Sequence, residues 1–217
     1  SSYLTTNYDC VLDRTLLASG YEKDNDNTRV TESIYSIRRC HAYHSIKLGK
    51  IKRIFPIHGV VRAPKTIMIG YDHYCGSLGK LDDYFKGKYV YKYEDNNVKL
   101  PRLLDRLEGK NNEIPMSSLG LYWPDYFFTH NIHIIGLGMP LVESDLWWVL
   151  NKRSRYQKIR NNINNAIYFY GDPDPSITNL LKSFGVRIER YPVENKKDPK
   201  SWKKAYDKMF ERLAQLL

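Results

Sequence analysis

The chain has 217 residues, of which 42% are apolar and 27% charged, enough to bury a core in one or two domains and too hydrophobic for composition-driven disorder. Its 34 Lys and Arg against 24 Asp and Glu leave a formal charge of +10, which suits polyanions, phosphorylated ligands or acidic partners and says nothing about fold. No run of about 18 apolar residues exists and no secretion signal opens the chain. Cys10, Cys40 and Cys75 stand apart with no CxxC pair, which argues against a structural zinc and a disulfide framework and makes a reducing cytoplasm the default.

Residues 3–6 (Tyr-Leu-Thr-Thr) read as a short strand of β-formers. Asp9 is a candidate N-cap for a helix through Leu12, Leu16 and Leu17 that Gly20 closes. Residues 21–29 lack any apolar period and read as a polar loop. From Val30 to His58 the pattern is strand-like, in the runs SIYSIRR, AYHSIKL and IKRIFPI, with Leu48-Gly49-Lys50 as a hairpin turn. Thr66–Ile69 reads as another strand and Tyr71–Phe85 as a helix. Residues 87–120 are broken by Gly, Asn and Pro around one helix at 101–108, and 87–130 as a whole reads as a helical insertion.

The last hundred residues alternate regularly. Strands are expected at 132–135, 166–170 and 186–191, and helices at 140–151, 175–184 and 199–216. Strand and helix alternating at this spacing predict parallel strands joined by right-handed crossovers. The expected architecture is an α/β fold, a Rossmann-like, doubly wound, mostly parallel sheet in three layers with an inserted hairpin and helical subregion, spanning 1–217 as one domain.

In such sheets ligands gather at the C-terminal ends of strands. Four segments fall there: Thr6-Asn7-Tyr8-Asp9, Ile57-His58-Gly59, Gly136-Leu137-Gly138 and Gly171-Asp172. A G-x-G turn between strand and helix lets backbone N–H groups approach a phosphate, although Leu141 stands where a full dinucleotide fingerprint has its third glycine. The bland alternative is a tight turn with a positive φ. His58 closing a strand and Asn7 holding a turn have equally bland readings. The pairs His41/His44 and His130/His133 lack a third ligand at metal-site spacing, so no metal is expected. The basic run Lys152–Arg160 and the Lys-rich C-terminal helix read as solvated faces. The Trp147-Trp148 pair reads as packing against the sheet.

Taken together, Leu4-Thr5-Thr6-Asn7-Tyr8-Asp9, Ile57-His58-Gly59 and His133-Ile134-Ile135-Gly136-Leu137-Gly138, followed by Glu143-Ser144-Asp145-Leu146-Trp147-Trp148, resemble the sirtuin-like domain of bacterial anti-phage defence proteins. The resemblance spans most of the chain. It implies a Rossmann-like domain that takes NAD as substrate and cleaves the nicotinamide–ribose bond, depleting NAD in response to infection. It also implies that His58 is the general base or ribose-activating group, that Asn7 orients the ribose or attacking water, and that Asp9 supports that loop. Thr6, Gly136, Leu137, Gly138 and Gly171 would line the ribose or phosphate region.

Such a reaction builds positive charge on the ribose, and nicotinamide leaves neutral, so orientation, a dry site and a base near neutral pH are what the protein must supply. Sirtuin deacylases carry a four-cysteine zinc module that the three separated cysteines cannot form, which favours NAD hydrolysis over deacylation. The family's Gly-Ala-Gly loop precedes T-x-N-x-D, so residues 1–217 are expected to be the C-terminal portion of the domain, without its glycine-rich strand-loop-helix. The expected partners are NAD and either a second copy or a fused or separate sensor domain, with no membrane. Two rival readings stand beside it: a non-catalytic sensor of NAD or ADP-ribose that controls a partner, and a nucleic-acid-associated module that uses the basic surface.

Overall fold

The computed structural model describes residues 2–29, 34–93, 95–107, 121–159 and 163–216. The chain divides into two compact units, Ser1–Asp125 and Tyr126–Leu217. It is a mixed α/β protein, and the described residues form three short sheets, ordered β1-β4-β3-β2, β5-β6 and β7-β8-β9. Among the described residues no helix is long and apolar enough to cross a membrane.

In the first unit, β1 (Ser2–Thr5) lies parallel to β4 (Lys50–Pro56), which is antiparallel to β3 (Cys40–Ser45), which in turn pairs with β2 (Glu22–Arg29). Helix α1 (Val11–Ala18) packs Leu12 and Leu16 against Tyr3, Tyr21, Tyr43 and Ile54. The loop expected at 21–29 is therefore a strand. Its sequence, Glu-Lys-Asp-Asn-Asp-Asn-Thr-Arg, shows no alternation because it is a largely exposed edge with little to bury. Its side chains hold the irregular stretch between Asp24 and Arg29. The Asn27 N–H donates to Asp24 Oδ1 (3.0 Å), and the Ala42 N–H donates to Thr28 Oγ1 (3.0 Å).

Two other expected strands are absent from the described residues. Residues 34–39 of the SIYSIRR run form turn and irregular backbone, while 30–33 lie outside the described residues. Thr66–Ile69 follows a 3₁₀ turn (Pro64–Thr66) and stays irregular. The turn at Leu48-Gly49 and the helix α2 (Tyr71–Phe85) match expectation. Tyr74, Ser77, Leu81, Tyr84 and Phe85 form the buried stripe of α2. The segment from 87 opens on a hairpin, β5 (Val90–Tyr93) and β6 (Asn96–Lys99), before α3 (Leu103–Leu107). Residues 108–120 of the expected insertion lie outside the described residues, and α4 (Trp123–Thr129) follows.

A buried polar chain joins these pieces. Arg106 donates to the Tyr84 hydroxyl, which donates to Asp125 Oδ1, and the Tyr122 N–H donates to Asp125 Oδ2 (2.9 Å). The Arg106 guanidinium also lies over the Tyr122 ring, 4.9 Å from its centroid. Burial pushes the Asp125 carboxyl up, against the pull of the Arg106 charge and its hydrogen bonds.

The second unit follows the sequence closely. β7 (Ile132–Ile135), β8 (Ile167–Gly171) and β9 (Arg187–Arg190) are parallel neighbours joined by α5 (Ser144–Ile159) and α6 (Pro175–Ser183), with α7 (Pro199–Leu216) last. Crossovers between parallel strands of one sheet are as a rule right-handed, and two that step the same way across the sheet place α5 and α6 on one face. The Trp147 ring of α5 meets the Phe184 ring just after α6, 6.1 Å between centroids. The other face carries α7, whose Ala205 and Met209 pack with Tyr170 and Val193.

Two expectations about α5 need correction. It starts at Ser144 and not at 140, because residues 136–143 form an irregular loop closed by Glu143 N–H to Pro140 O (3.0 Å). It also runs on through the basic segment. Arg153, expected on a solvated face, is buried and donates to Phe127 O (2.8 Å), to Gln157 Oε1 (2.8 Å) and to Asn165 O. Burial pulls its guanidinium down to about 10. Arg160 lies outside the described residues. The mostly parallel sheet is likewise confined to β1–β4 and β7–β8–β9, since β2, β3, β5 and β6 pair antiparallel.

Candidate functional site

In the first unit the only parallel pair among the described residues brings two candidate segments together. β1 and β4 are in register with Thr5 opposite Pro56, so the chain leaves both strands at the same edge. The ladder continues as Ile57 N–H to Thr5 O (2.9 Å), and Val61 N–H to Tyr8 O (2.8 Å) ties the two exiting loops. Thr6-Asn7-Tyr8-Asp9 and Ile57-His58-Gly59, remote in sequence, become neighbours at the carboxyl ends of adjacent parallel strands.

The residues in these loops differ in exposure. Asn7 is exposed, with its N–H donating to Thr5 Oγ1 (3.1 Å), and Thr6 is half-buried. Asp9 is exposed and its Oδ1 accepts the Val11 N–H (2.9 Å), an Asx turn that starts α1. Its carboxylate thus shapes the local turn into α1. Tyr8 donates its hydroxyl to Met68 O (2.6 Å).

His58 is only 1% exposed and meets the Tyr74 ring edge-on, 5.3 Å between centroids. Its carbonyl accepts the Met68 N–H (2.9 Å), which fastens the 58–68 loop. Gly59 has φ +98°, and a Cβ there would lie 2.2 Å from Thr66 O. The His-Gly pair therefore requires glycine for backbone reasons alone.

In the second unit the register places Ile135 opposite Tyr170 and Gly171 opposite Arg190, so Gly136, Gly171 and Arg190 line one carboxyl edge. Gly136 (φ +72°) makes the left-handed turn out of β7, and a Cβ there would come within 3.1 Å of the Tyr206 hydroxyl. Leu137 is half-buried and Gly138 exposed, with open space where its Cβ would be. The second left-handed residue of this loop is the buried Met139 (φ +48°), so Gly138 is not fixed by crowding. Next along the edge, Arg190 donates to Asp172 Oδ1 (3.1 Å) and Thr178 Oγ1 (3.1 Å). Beside it, Arg190, Tyr191, Glu194, Ser201, Lys204 and Lys208 line an open cleft of about 350 Å³.

The candidates therefore form two groups: Thr6, Asn7, Asp9 and His58 in the first unit, and Gly136, Leu137, Gly138 and Gly171 in the second. Sequence reasoning missed a third group. Asp13, buried in the first turn of α1, meets His41 Nδ1 (2.7 Å) and accepts the Tyr43 hydroxyl (2.6 Å). Burial opposes its ionisation, but the bonds to His41 and Tyr43 and the His41 charge outweigh it and hold the carboxyl below its ordinary range. Burial and the same carboxylate push the Tyr43 phenol up. The legible signal was the His-x-Tyr spacing on β3, which puts both side chains on one face. Lys204 and Lys208 of the cleft share a helix face by their four-residue spacing.

No protein-family model, no curated protein and no solved structure matches this chain.

Proposed function

We propose that the chain is a domain that binds NAD and cleaves its nicotinamide–ribose bond, with Asn7 and His58 as the working side chains. The observation that carries this reading is the convergence of the Thr6–Asp9 and Ile57–Gly59 loops at the ends of two adjacent parallel strands. An amide and an imidazole carried by the two converging loops suit a reaction that needs orientation and a base but no acid for its leaving group. Asp9 supports its own loop through its bond to the Val11 N–H, and Thr6 is the candidate contact to ribose or phosphate there. The resemblance adds Gly136, Leu137, Gly138 and Gly171, which stand at a strand edge of the second unit. The reading carries with it a Rossmann-like, doubly wound architecture, which the parallel run β7–α5–β8–α6–β9 supports, and a role in depleting NAD during phage infection.

The test is nicotinamide release from NAD by the full-length protein with its activating partner. Asn7→Ala and His58→Ala are each expected to reduce turnover at least a hundredfold, in the range for loss of a positioned acid–base group. Unchanged turnover in both variants sinks the assignment.

The near-complete burial of His58 favours a second reading, a non-catalytic sensor of NAD or ADP-ribose. It predicts saturable binding without nicotinamide release, with the partner present.

A further inference from the structure

The β3–β4 hairpin ends in Ile46-Lys47-Leu48-Gly49-Lys50-Ile51-Lys52-Arg53, four cations with no acid. Ile46, Leu48 and Ile51 are 77%, 59% and 44% exposed. Single exposed aliphatic residues are ordinary, but three within six positions at a hairpin tip form a cluster. Lysines alone would have served to keep this tip from pairing with other chains, so the apolar side chains between them need another reason. Gly49 (φ +58°) makes the tight turn that presents them. The acid across the ladder is Glu22, which faces His44 (3.7 Å) below the tip. Lys52 leans over the Tyr3 ring, leaving Lys47 and Lys50 as the exposed cations of the tip.

We propose that this hairpin tip docks on an anionic membrane surface. Ile46, Leu48 and Ile51 enter the boundary between headgroups and acyl chains, while Lys47 and Lys50, with Arg53 behind them, meet lipid phosphates. Charge complementarity and aliphatic character together select a bilayer over nucleic acid, whose single-strand sites stack bases on aromatic rings; residues 46–53 contain none. The contact lies on the membrane and does not cross it, and three aliphatic side chains make it reversible and salt-sensitive. This departs from the expectation of no membrane partner.

The geometry gives the contact a consequence. β4 runs from Lys50 at the tip to Pro56 at the candidate site, a rise of roughly 20 Å. A docked hairpin therefore holds the edge carrying Asn7 and His58 away from the bilayer, open to a soluble ligand.

The full chain is sedimented with vesicles of phosphatidylcholine alone and of phosphatidylcholine with about 30 mol % phosphatidylglycerol. Binding is expected to the anionic vesicles only and to weaken in half-molar salt. Lys47→Glu/Lys50→Glu and Ile46→Ser/Leu48→Ser should each lower the partition coefficient about tenfold or more. Every altered side chain is exposed, so thermal unfolding of both variants should match the parent and exclude misfolding. The proposal is overturned if the parent ignores anionic vesicles, if both variants bind like the parent, or if the tip variants lose affinity for a nucleic acid or a protein and not for vesicles.

Discussion

The two units differ in how far apart in the chain their pairing strands lie. In the second unit each strand pairs in parallel with the next one in sequence, across a single helix. In the first, β1 finds its parallel partner only at β4, after a helix and an antiparallel ribbon have intervened. The second unit buries its sheet between helices. The first adds to its helix-covered sheet a polar chain of Arg106, Tyr84 and Asp125, far from solvent. Local alternation is enough to specify the former, whereas the latter depends on long-range contacts that include buried charge.

The largest effect expected from breaking that difference comes from Asp125. Asp125→Ala leaves the Arg106 guanidinium buried beside Tyr84 without its carboxylate, which costs about 3–5 kcal/mol. Tyr84→Phe, which removes one hydroxyl from the chain, costs about 1–2 kcal/mol. Denaturant titration measures both, and hydrogen exchange along α2 should show the loss in the first unit. A change below about 1 kcal/mol for Asp125→Ala would mean that this polar chain does not hold the first unit together.

Two glycines at the strand ends sharpen the comparison at smaller scale. Gly59→Ala forces a Cβ to 2.2 Å from the Thr66 carbonyl oxygen at φ +98°, so the backbone of the 58–68 loop must shift. A loss of about 3 kcal/mol is expected. Gly136→Ala meets only the end of the Tyr206 side chain at 3.1 Å, which can swing aside, and should cost about 1 kcal/mol for its backbone angle. Equal losses would show that crowding at Gly59 is relieved more easily than its backbone contacts imply.

Legibility in the sequence followed the same division. β7, β8, β9, α6 and α7 are readable within a residue or two because each carries its own period and its pairing partner is next in line. β2 was unreadable because an exposed edge strand of Glu, Lys, Asp and Asn has no buried face to imprint a period. Thr66–Ile69 has strand-forming residues, yet it leaves the 3₁₀ turn at Pro64–Thr66 against the close approach of Gly59 and finds no strand to pair with among the described residues. At the candidate site, Asn7 and His58 were legible as strand-end residues, and the convergence of their loops came only with the parallel register of β1 and β4. Asp13 was legible as an early helix residue, but its bonds to His41 and Tyr43 depend on α1 covering β3.

The smallest expected effect separates the units by pH. In the second unit, burial holds the His133 imidazole below its ordinary value of 6.5, with the Glu189 charge opposing, and burial lowers His130 likewise. The unfolded chain therefore takes up these protons first, and the second unit should begin to lose stability as pH falls below about 6.5, levelling off once the folded values are passed. In the first unit, Asp13 lies below its ordinary value of 3.8, so the unfolded chain is again the better proton acceptor. Its contribution is complete above that value and is lost as pH falls below about 4, through the folded value. Hydrogen exchange followed from neutral pH downward should show protection falling first along β7–β9 and only later along β1, β3 and α1. His133→Gln with His130→Gln should flatten the upper limb and leave the lower one, and Asp13→Asn should do the reverse. If the two segments lose protection together over one range, the two units share one acid response and the division drawn from their buried groups is wrong.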